Sequence, residues 1–166
     1  SLEGLLMTIQ RHCVVSFHHT LRDASGEELE TSRDGDPSLY LHGAGNLLPS
    51  LERALEGKAE GDVFSVALEA KDAYGDRDPK RQQRVPVKHL LYQGRLRPGM
   101  LVQVNTADGR RPATVLKVGK FSADLDTNHP LAGRDLVFDI EITAVRPATE
   151  EEIAHGHAHG PGGHEH

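Results

Sequence analysis

Residues 136–145 read LVFDIEITAV, a strongly apolar stretch whose Val, Ile, Thr and Phe side chains predict a β-strand. Such an apolar strand must be buried by packing against other elements, so we do not expect it at an unpacked edge of a sheet. Because the stretch lies near the end of the chain, its partners must come from earlier residues. We therefore expect this strand to complete a sheet that the first half of the chain begins.

The first half of the chain contains the elements that such a sheet needs. Residues 9–20 are rich in apolar side chains and predict a strand, and DASGEELE at 23–30 predicts a turn followed by a second strand. Three leucines spaced i, i+3 and i+7 predict a short helix within 48–57, with a proline in its first turn and a glycine at its end. The alternating residues 61–70 predict another strand.

A second apolar segment interrupts these elements. It follows the charged stretch DRDPKRQQR at 76–84, contains the hairpin signal ADG at 107–109, and ends before NHPLAG at 128–133. We therefore predict an α+β, mostly β fold in which one β-rich domain is interrupted by another. The expected boundaries are 7–75 with 128–148 for the first domain, 76–127 for the inserted β domain, and 149–166 for a short helix and tail.

The bulk composition excludes several classes of protein. The formal net charge of −6 and the absence of a basic run interleaved with aromatic residues argue against nucleic-acid binding, and no apolar run is long enough for a membrane span. The single cysteine, Cys13, cannot form an internal disulfide, which fits a reducing compartment. Residues 1–6 before Met7 show no secretory signal, so we expect a cytoplasmic protein. We also expect the protein to be a monomer.

The C-terminal residues 155–166, HGHAHGPGGHEH, predict a disordered, metal-chelating tail. Imidazole nitrogens suit nickel, zinc and copper, and the small spacers let a chain fold around one ion. An expression tag and a solvated tail with incidental affinity are the alternatives. Before the tail, Thr149 and Glu152 form a capping-box pattern that predicts a short helix. The five predicted metal ligands are His155, His157, His159, His164 and His166.

Four motifs occur in order along the chain. They are YLHGAGNLLPSLERALEG at 40–57, AKDAYG at 70–75, NHPLAGRDLVFDIEI at 128–142 and RPATEEEIAHGH at 146–157. Together, around an insert and before a histidine tail, they resemble the SlyD-type FKBP family over nearly the whole chain from Met7. The resemblance implies an FKBP-like antiparallel sheet wrapping one short helix, with an inserted insert-in-flap chaperone domain.

The resemblance also implies a function. Members of the family are peptidyl-prolyl cis/trans isomerases that act on proline-containing peptides and unfolded chains, need no cofactor for catalysis, and bind Ni²⁺ or Zn²⁺. Some take part in delivering nickel to maturing enzymes, so nickel-enzyme maturation proteins are possible partners. The alternatives are a metal-handling protein or a pure holdase whose FKBP-like domain only docks partners.

Carried over position by position, the resemblance implies a proline pocket. Tyr74 is the expected hydroxyl donor, and Glu30, Leu48 and Phe138 are expected to act with it in catalysis. Two positions depart from the family pattern, because His19 stands where many members have tyrosine and Glu30 where aspartate is usual. The remaining residues expected to bind substrate in this pocket are His19, Leu29, Tyr40, Leu47 and Leu51.

The predicted insert contains more apolar side chains than a very small β domain readily hides. We expect some of them to form an exposed patch that binds unfolded chain, with Leu90, Tyr92 and Met100 as binding residues. The alternative is that they form the core of the insert itself. The full set is Leu90, Leu91, Tyr92, Leu96, Met100, Leu101 and Val102.

Overall fold

The structure is a computed structural model that describes residues 7–92 and 94–160 of the 166-residue chain. The chain forms two compact units. We call residues 1–73 with 134–166 the host unit and residues 74–133 the insert unit. No helix in the described ranges is both long and apolar enough to cross a membrane.

In chain order, the strands of the described residues are β1 (Cys13–Asp23), β2 (Glu28–Thr31), β3 (Ser38–Leu41), β4 (Val63–Leu68), β5 (Gln82–Pro86), β6 (Leu101–Thr106), β7 (Gly109–Val118), β8 (Ser122–Asp126) and β9 (Leu136–Pro147). The α-helices are α1 (Pro49–Leu55) and α2 (Glu150–His155), and short 3-10 turns cover Ala70–Asp72, Pro79–Arg81 and Val87–His89. The mostly β fold class and the helix at 49–55 confirm the sequence prediction.

The host unit is built on an antiparallel sheet in the order β2-β1-β9-β4, with β3 also paired to β1. Strand β9 contains the LVFDIEITAV stretch and lies between β1 and β4, with Phe138 opposite both Leu21 and Val66. The pairing of this stretch with strands from the first half is therefore confirmed. Leu136, Phe138, Ile140 and Ile142 are buried on one face, as are Leu51 and Leu55 of α1.

The opposite face of β9 is polar and forms ion pairs across the sheet. Asp139 accepts two hydrogen bonds from Arg22 on β1, at 2.6 and 2.9 Å, and a third from Ser65 on β4 at 2.6 Å. The Arg22 side chain, through its hydrogen bonds, holds the pKa of Asp139 down at about 2. Arg33 and Glu141 form a further pair at 2.8 Å. Only one face of the central strand is therefore apolar.

The insert unit has its own four-stranded antiparallel sheet in the order β5-β8-β7-β6. The predicted hairpin at ADG is confirmed, since β6 and β7 are joined by a two-residue turn and Thr106 pairs with Gly109. The fully buried side chains of the insert core come from β6, β7, β8 and the segment before β6, and Val85 of β5 packs against them. Its buried residues are Leu90, Val102, Val104, Ala113, Val115, Ala123 and Leu125.

The two ends of the insert unit are joined by hydrogen bonds within that unit. The Asn128 side chain accepts from the Asp78 backbone N–H at 2.9 Å and donates to the Asp78 carbonyl at 3.0 Å. The Gly133 N–H donates to the Gly75 carbonyl at 2.7 Å. Gly133 has φ +80°, and an added Cβ would lie 2.8 Å from Arg77 Cγ, so a larger residue is disfavoured at this position.

Candidate functional site

The expected pocket residues of the host unit lie on its sheet and on the segment that leads into α1. Leu47, Leu51 and Phe138 are buried, while Leu29 and Leu48 are half-buried. The adjacent register of β1, β2 and β9 places Leu21 opposite both Glu30 and Phe138. Leu29 and Leu48 are therefore the side chains of this set that a ligand can contact most readily.

The two departures from the family pattern are partners in the structure. His19 Nε2 on β1 lies 3.0 Å from Glu30 Oε1 on β2, and the carboxylate accepts the hydrogen bond. His19 is buried and Glu30 is exposed, and the backbone N–H of His19 donates to Ser32 Oγ at 2.8 Å. The buried His19 ring thus orients the exposed Glu30 carboxylate. The identity of either residue alone does not predict this contact.

Tyr40 lies in the core of the host unit. Its hydroxyl is hydrogen-bonded to His42 Nδ1 at 2.9 Å, and its ring meets Phe17 edge-on at 5.7 Å between centroids. Burial raises the pKa of Tyr40 well above its usual range. Tyr40 is therefore a core residue that is 1% exposed, and its hydroxyl is hydrogen-bonded to His42.

His42 is a residue that the sequence reasoning missed. It is buried, and its Nε2 lies 3.5 Å from Glu56 Oε1, so it links Tyr40 to the carboxylate that follows α1. The two-residue spacing from Tyr40 was the available signal, because side chains at i and i+2 of a strand point to the same face. The chain Tyr40–His42–Glu56 connects β3 to the end of the helix.

Tyr74 is the first residue of the insert unit. Its ring stacks on that of His129, with 4.0 Å between centroids and 7° between planes. Both rings line a cavity of 510 Å³ within the insert unit, together with Arg81 and Arg111. Burial lowers the pKa of His129 below its ordinary value. The sequence contained no signal that paired Tyr74 with His129.

Three of the predicted metal ligands lie together in the tail. The nitrogen ligand atoms of His155, His157 and His159 all lie within 4.8 Å of one another, and His155 Nδ1 is 3.0 Å from His159 Nε2. Imidazole nitrogens bind metal at about 2.0–2.1 Å, so two ligands at a right angle lie roughly 3 Å apart. These three histidines could hold one metal ion after small movements of their rings. His164 and His166 lie outside the described residues.

The buried carboxylate of Glu152 holds this cluster to the host unit. It accepts from both terminal nitrogens of Arg146 at 2.8 Å each, from the Thr149 N–H at 2.9 Å and from the His159 N–H at 2.8 Å. Its side chain is 1% exposed, and the Arg146 hydrogen bonds hold its pKa well below the usual range. The predicted capping box with Thr149 is confirmed.

The described part of the tail is anchored rather than free. Ala158 is buried against Val14 and Leu41 of the host sheet, and the Gly156 carbonyl accepts a hydrogen bond from the Asn46 side chain at 3.0 Å. Composition alone led us to expect disorder from residue 155 onward. Through Gly160 the tail follows a defined course, because a buried carboxylate and a buried methyl group hold it.

The apolar side chains of the insert divide between core and surface. Leu90 and Val102 are buried in the core, and Leu96 and Met100 pack against it. The expectation that Leu90 is exposed for binding is therefore corrected, since its side chain is 8% exposed. Leu91, Tyr92 and Leu101 are exposed, and the sequence reasoning missed the most exposed large apolar residue of the described ranges, Phe121, at 77%.

Comparisons with known proteins agree with this geometry. A family model described as FKBP-type peptidyl-prolyl cis-trans isomerase matches residues 7–143. The chain is 43% identical over 156 residues to the FKBP-type peptidyl-prolyl cis-trans isomerase SlyD of Aeromonas hydrophila, covering 92% of this chain and 73% of that protein. It is 42% identical over 154 residues to the Escherichia coli K12 protein of the same name, covering 93% and 79%.

The SlyD protein of Vibrio cholerae is also similar, with 42% identity over 157 residues, covering 95% of this chain and 78% of that protein. The family model spans the host and insert units together, so the likeness is not confined to one of them. The chain therefore belongs to the FKBP-type peptidyl-prolyl cis-trans isomerases, to the SlyD type among them, and is a rotamase by family.

Proposed function

We propose that the isomerase acts through an apolar grip on the proline ring and polar contacts to the rotating amide. Leu29, Leu47, Leu48, Leu51 and Phe138 supply the grip, Glu30 supplies a polar contact, and Tyr74 is the proposed hydroxyl donor to the amide. The observation that carries the proposal is the family match across residues 7–143, which includes every one of these positions. Tyr40 supports the grip from the core.

Rotation about the prolyl amide needs no nucleophile, because its barrier of about 18–20 kcal/mol comes from C–N double-bond character. An apolar environment disfavours the polar planar amide relative to the twisted transition state. A hydrogen bond that strengthens as the amide twists lowers the barrier further. His19 then has the role of holding Glu30 in one orientation, which the 3.0 Å contact between them supports.

A protease-coupled assay with a prolyl peptide tests the isomerase proposal. The full chain should accelerate cis-to-trans conversion well above the rate in buffer, and Tyr74→Phe should retain the fold and lose part of the acceleration. A folded wild-type chain that gives no acceleration would leave the alternative, a metal-handling protein whose FKBP-like domain only docks partners.

For the insert unit, we propose a chaperone role on unfolded chains in the cytoplasm. Its support is the set of exposed apolar side chains on a unit that has its own core, with Leu91, Tyr92, Leu101 and Phe121 as members. A bound chain raises the local concentration of its prolines for the isomerase. Deleting residues 76–127 should preserve isomerisation of a short peptide and abolish suppression of aggregation. If suppression persists, the proposal is wrong.

For the tail, we propose reversible binding of nickel or zinc by His155, His157 and His159, in a chain that acts as a monomer and hands metal to nickel-enzyme maturation proteins. The carrying observation is the clustering of three imidazoles on a segment anchored by Glu152. Truncation after Ala154 should remove most nickel binding in calorimetry while peptide isomerisation continues. Undiminished nickel binding by the truncated chain would contradict the assignment.

A further inference from the structure

The two units carry opposite net charge. Residues 74–133 contain eleven Lys or Arg and five Asp or Glu, a net charge of +6, whereas the rest of the chain contains eight and twenty, a net charge of −12. The overall value of −6 conceals this division. The positive electrostatic potential of the insert unit therefore attracts acidic segments of a client chain.

The positive charge of the insert unit coincides with its most exposed apolar residue. A groove of 890 Å³ has Pro86, Val87 and Phe121 as its apolar lining and Arg84, Lys88 and Lys120 as its charged lining. No carboxylate of the described residues lines it. Arg84 is paired with Asp124 at 2.9 Å, whereas neither Lys88 nor Lys120 has an ion pair within residues 7–92 and 94–160.

Backbone hydrogen bonds pre-form the groove. The Val87 N–H donates to the Phe121 carbonyl at 2.9 Å, and Pro86 pairs with Ser122 in the β5–β8 register. Strand β5 is an edge strand of the insert sheet, so no further strand of that sheet lies beyond it. A ligand therefore meets a fixed backbone, and the Lys120 ammonium lies over the Phe121 ring at 5.4 Å from its centroid.

We propose that this groove binds segments of unfolded chain in which an aromatic or aliphatic residue is flanked by Asp or Glu. The apolar residue packs on Phe121 and Val87, and the flanking carboxylates pair with Lys88 and Lys120. This inference rests on the proposed chaperone function of the insert unit and adds the class of client. One exposed aromatic ring and two lysines that form no ion pair in the described ranges suit a short acidic–apolar peptide better than the many phosphates of a nucleic acid.

The test uses the full chain and labelled peptides that share one apolar core and differ only in flanking Glu, Gln or Lys. Fluorescence anisotropy at low ionic strength should show the Glu-flanked peptide binding about fivefold tighter than the Gln-flanked one, a modest factor because exposed ion pairs are weak. The Lys-flanked peptide should bind most weakly. Added salt should reduce the difference between peptides.

Variants locate the site. Lys120→Glu should remove the preference for Glu flanks, whereas Arg110→Glu makes the same charge change at the β6–β7 hairpin and should leave the preference intact. Phe121→Ala should weaken all three peptides alike, while Val63→Ala, at a comparably exposed apolar residue on β4 of the host unit, should have little effect. The assignment to this groove would be overturned if each variant in the groove changed peptide binding no more than its control outside the groove.

The outcomes separate this inference from the function on which it rests. If the three peptides bind equally and aggregation is still suppressed, the client class proposed here is wrong while the chaperone role stands. If no peptide binds and no aggregation is suppressed, the chaperone role itself fails, and this inference with it. Displacement of the Glu-flanked peptide by low concentrations of single-stranded DNA would also overturn the proposal, because the groove would then be a phosphate site.

Discussion

Single residues acquire their roles here through partners that are distant in sequence. His19 and Glu30 depart from the family pattern as two independent substitutions, yet they form one hydrogen-bonded pair between neighbouring strands. A histidine in place of tyrosine changes the geometry of the donor, and a glutamate in place of aspartate extends the acceptor by one methylene. The two residues are therefore best tested together as one hydrogen-bonded pair.

A double-mutant cycle tests whether this pair acts as one element in catalysis. His19→Phe and Glu30→Ala should each lower kcat/KM for a prolyl peptide, and the double variant should fall little further. The expected coupling energy is about 1 kcal/mol, typical of residues in direct contact. Glu28→Ala, at an exposed carboxylate of the same strand, is the control. Fully additive losses would show that the contact has no catalytic role.

Asp139 provides a pH-dependent contribution to host stability. Its pKa of about 2 lies below the ordinary value of 3.8, so its contribution is fully present above the ordinary value and is lost as pH falls through about 2. Asp139→Asn should lower the free energy of unfolding at neutral pH by about 1 kcal/mol after allowance for solvent screening. It should also flatten the loss of stability between about pH 4 and pH 2.

Chemical denaturation of the wild type and Asp139→Asn across this pH range provides the measurement. Asp34→Asn is the matched control, because Asp34 is exposed and has no ion pair in the described part of the chain. An Asp139 variant whose stability curve keeps the wild-type slope would show that another carboxylate controls the acid transition.

At the scale of elements, helix α2 has a role beyond that of a linker to the tail. Its capping residue Thr149 and its buried Glu152 tie β9, the helix and the His159 backbone into one network. A free tail must lose conformational freedom when three histidines close on an ion, whereas an anchored tail has already lost much of it. Anchoring should therefore raise metal affinity.

Glu152→Ala should weaken nickel binding about tenfold, the lower end of the effect expected for a residue that orients metal ligands. Calorimetry of the full chain measures the affinity, and Glu150→Ala on the exposed side of the same helix is the control. Hydrogen exchange at the His159 amide should rise in the Glu152 variant even before metal is added. An unchanged nickel affinity, with that amide exposed, would show that the anchor is irrelevant to the metal.

At the scale of the whole molecule, each unit has a sheet and a buried core of its own. Replacing residues 76–127 with a short glycine link should therefore leave the thermal transition of the host unit within about 5 °C, the shift that roughly 1 kcal/mol produces in a domain of this size. Differential scanning calorimetry of the two chains makes the comparison. A deletion variant without a cooperative transition would show that the host unit depends on the insert for its stability.

Much of the fold follows from local patterns. The strand at LVFDIEITAV, the helix at 49–55, the ADG hairpin and the capping box at Thr149 depend on side-chain periodicity or on residues a few positions apart, so the sequence reveals them directly. The histidine spacing likewise predicts a metal-ligating segment without reference to the fold. The family assignment follows from motifs that are each continuous in the chain.

Tertiary structure alone decided which residues meet. The His19–Glu30 contact, the stacking of Tyr74 on His129 and the fourfold use of Glu152 join residues whose separation carries no periodic signal. The same holds for the division of the insert's apolar residues, where Leu90 enters the core and Phe121 is left exposed. The physical reason is that strand register and burial depend on the packing of the whole chain, whereas capping, turns and helical stripes depend on neighbours in sequence.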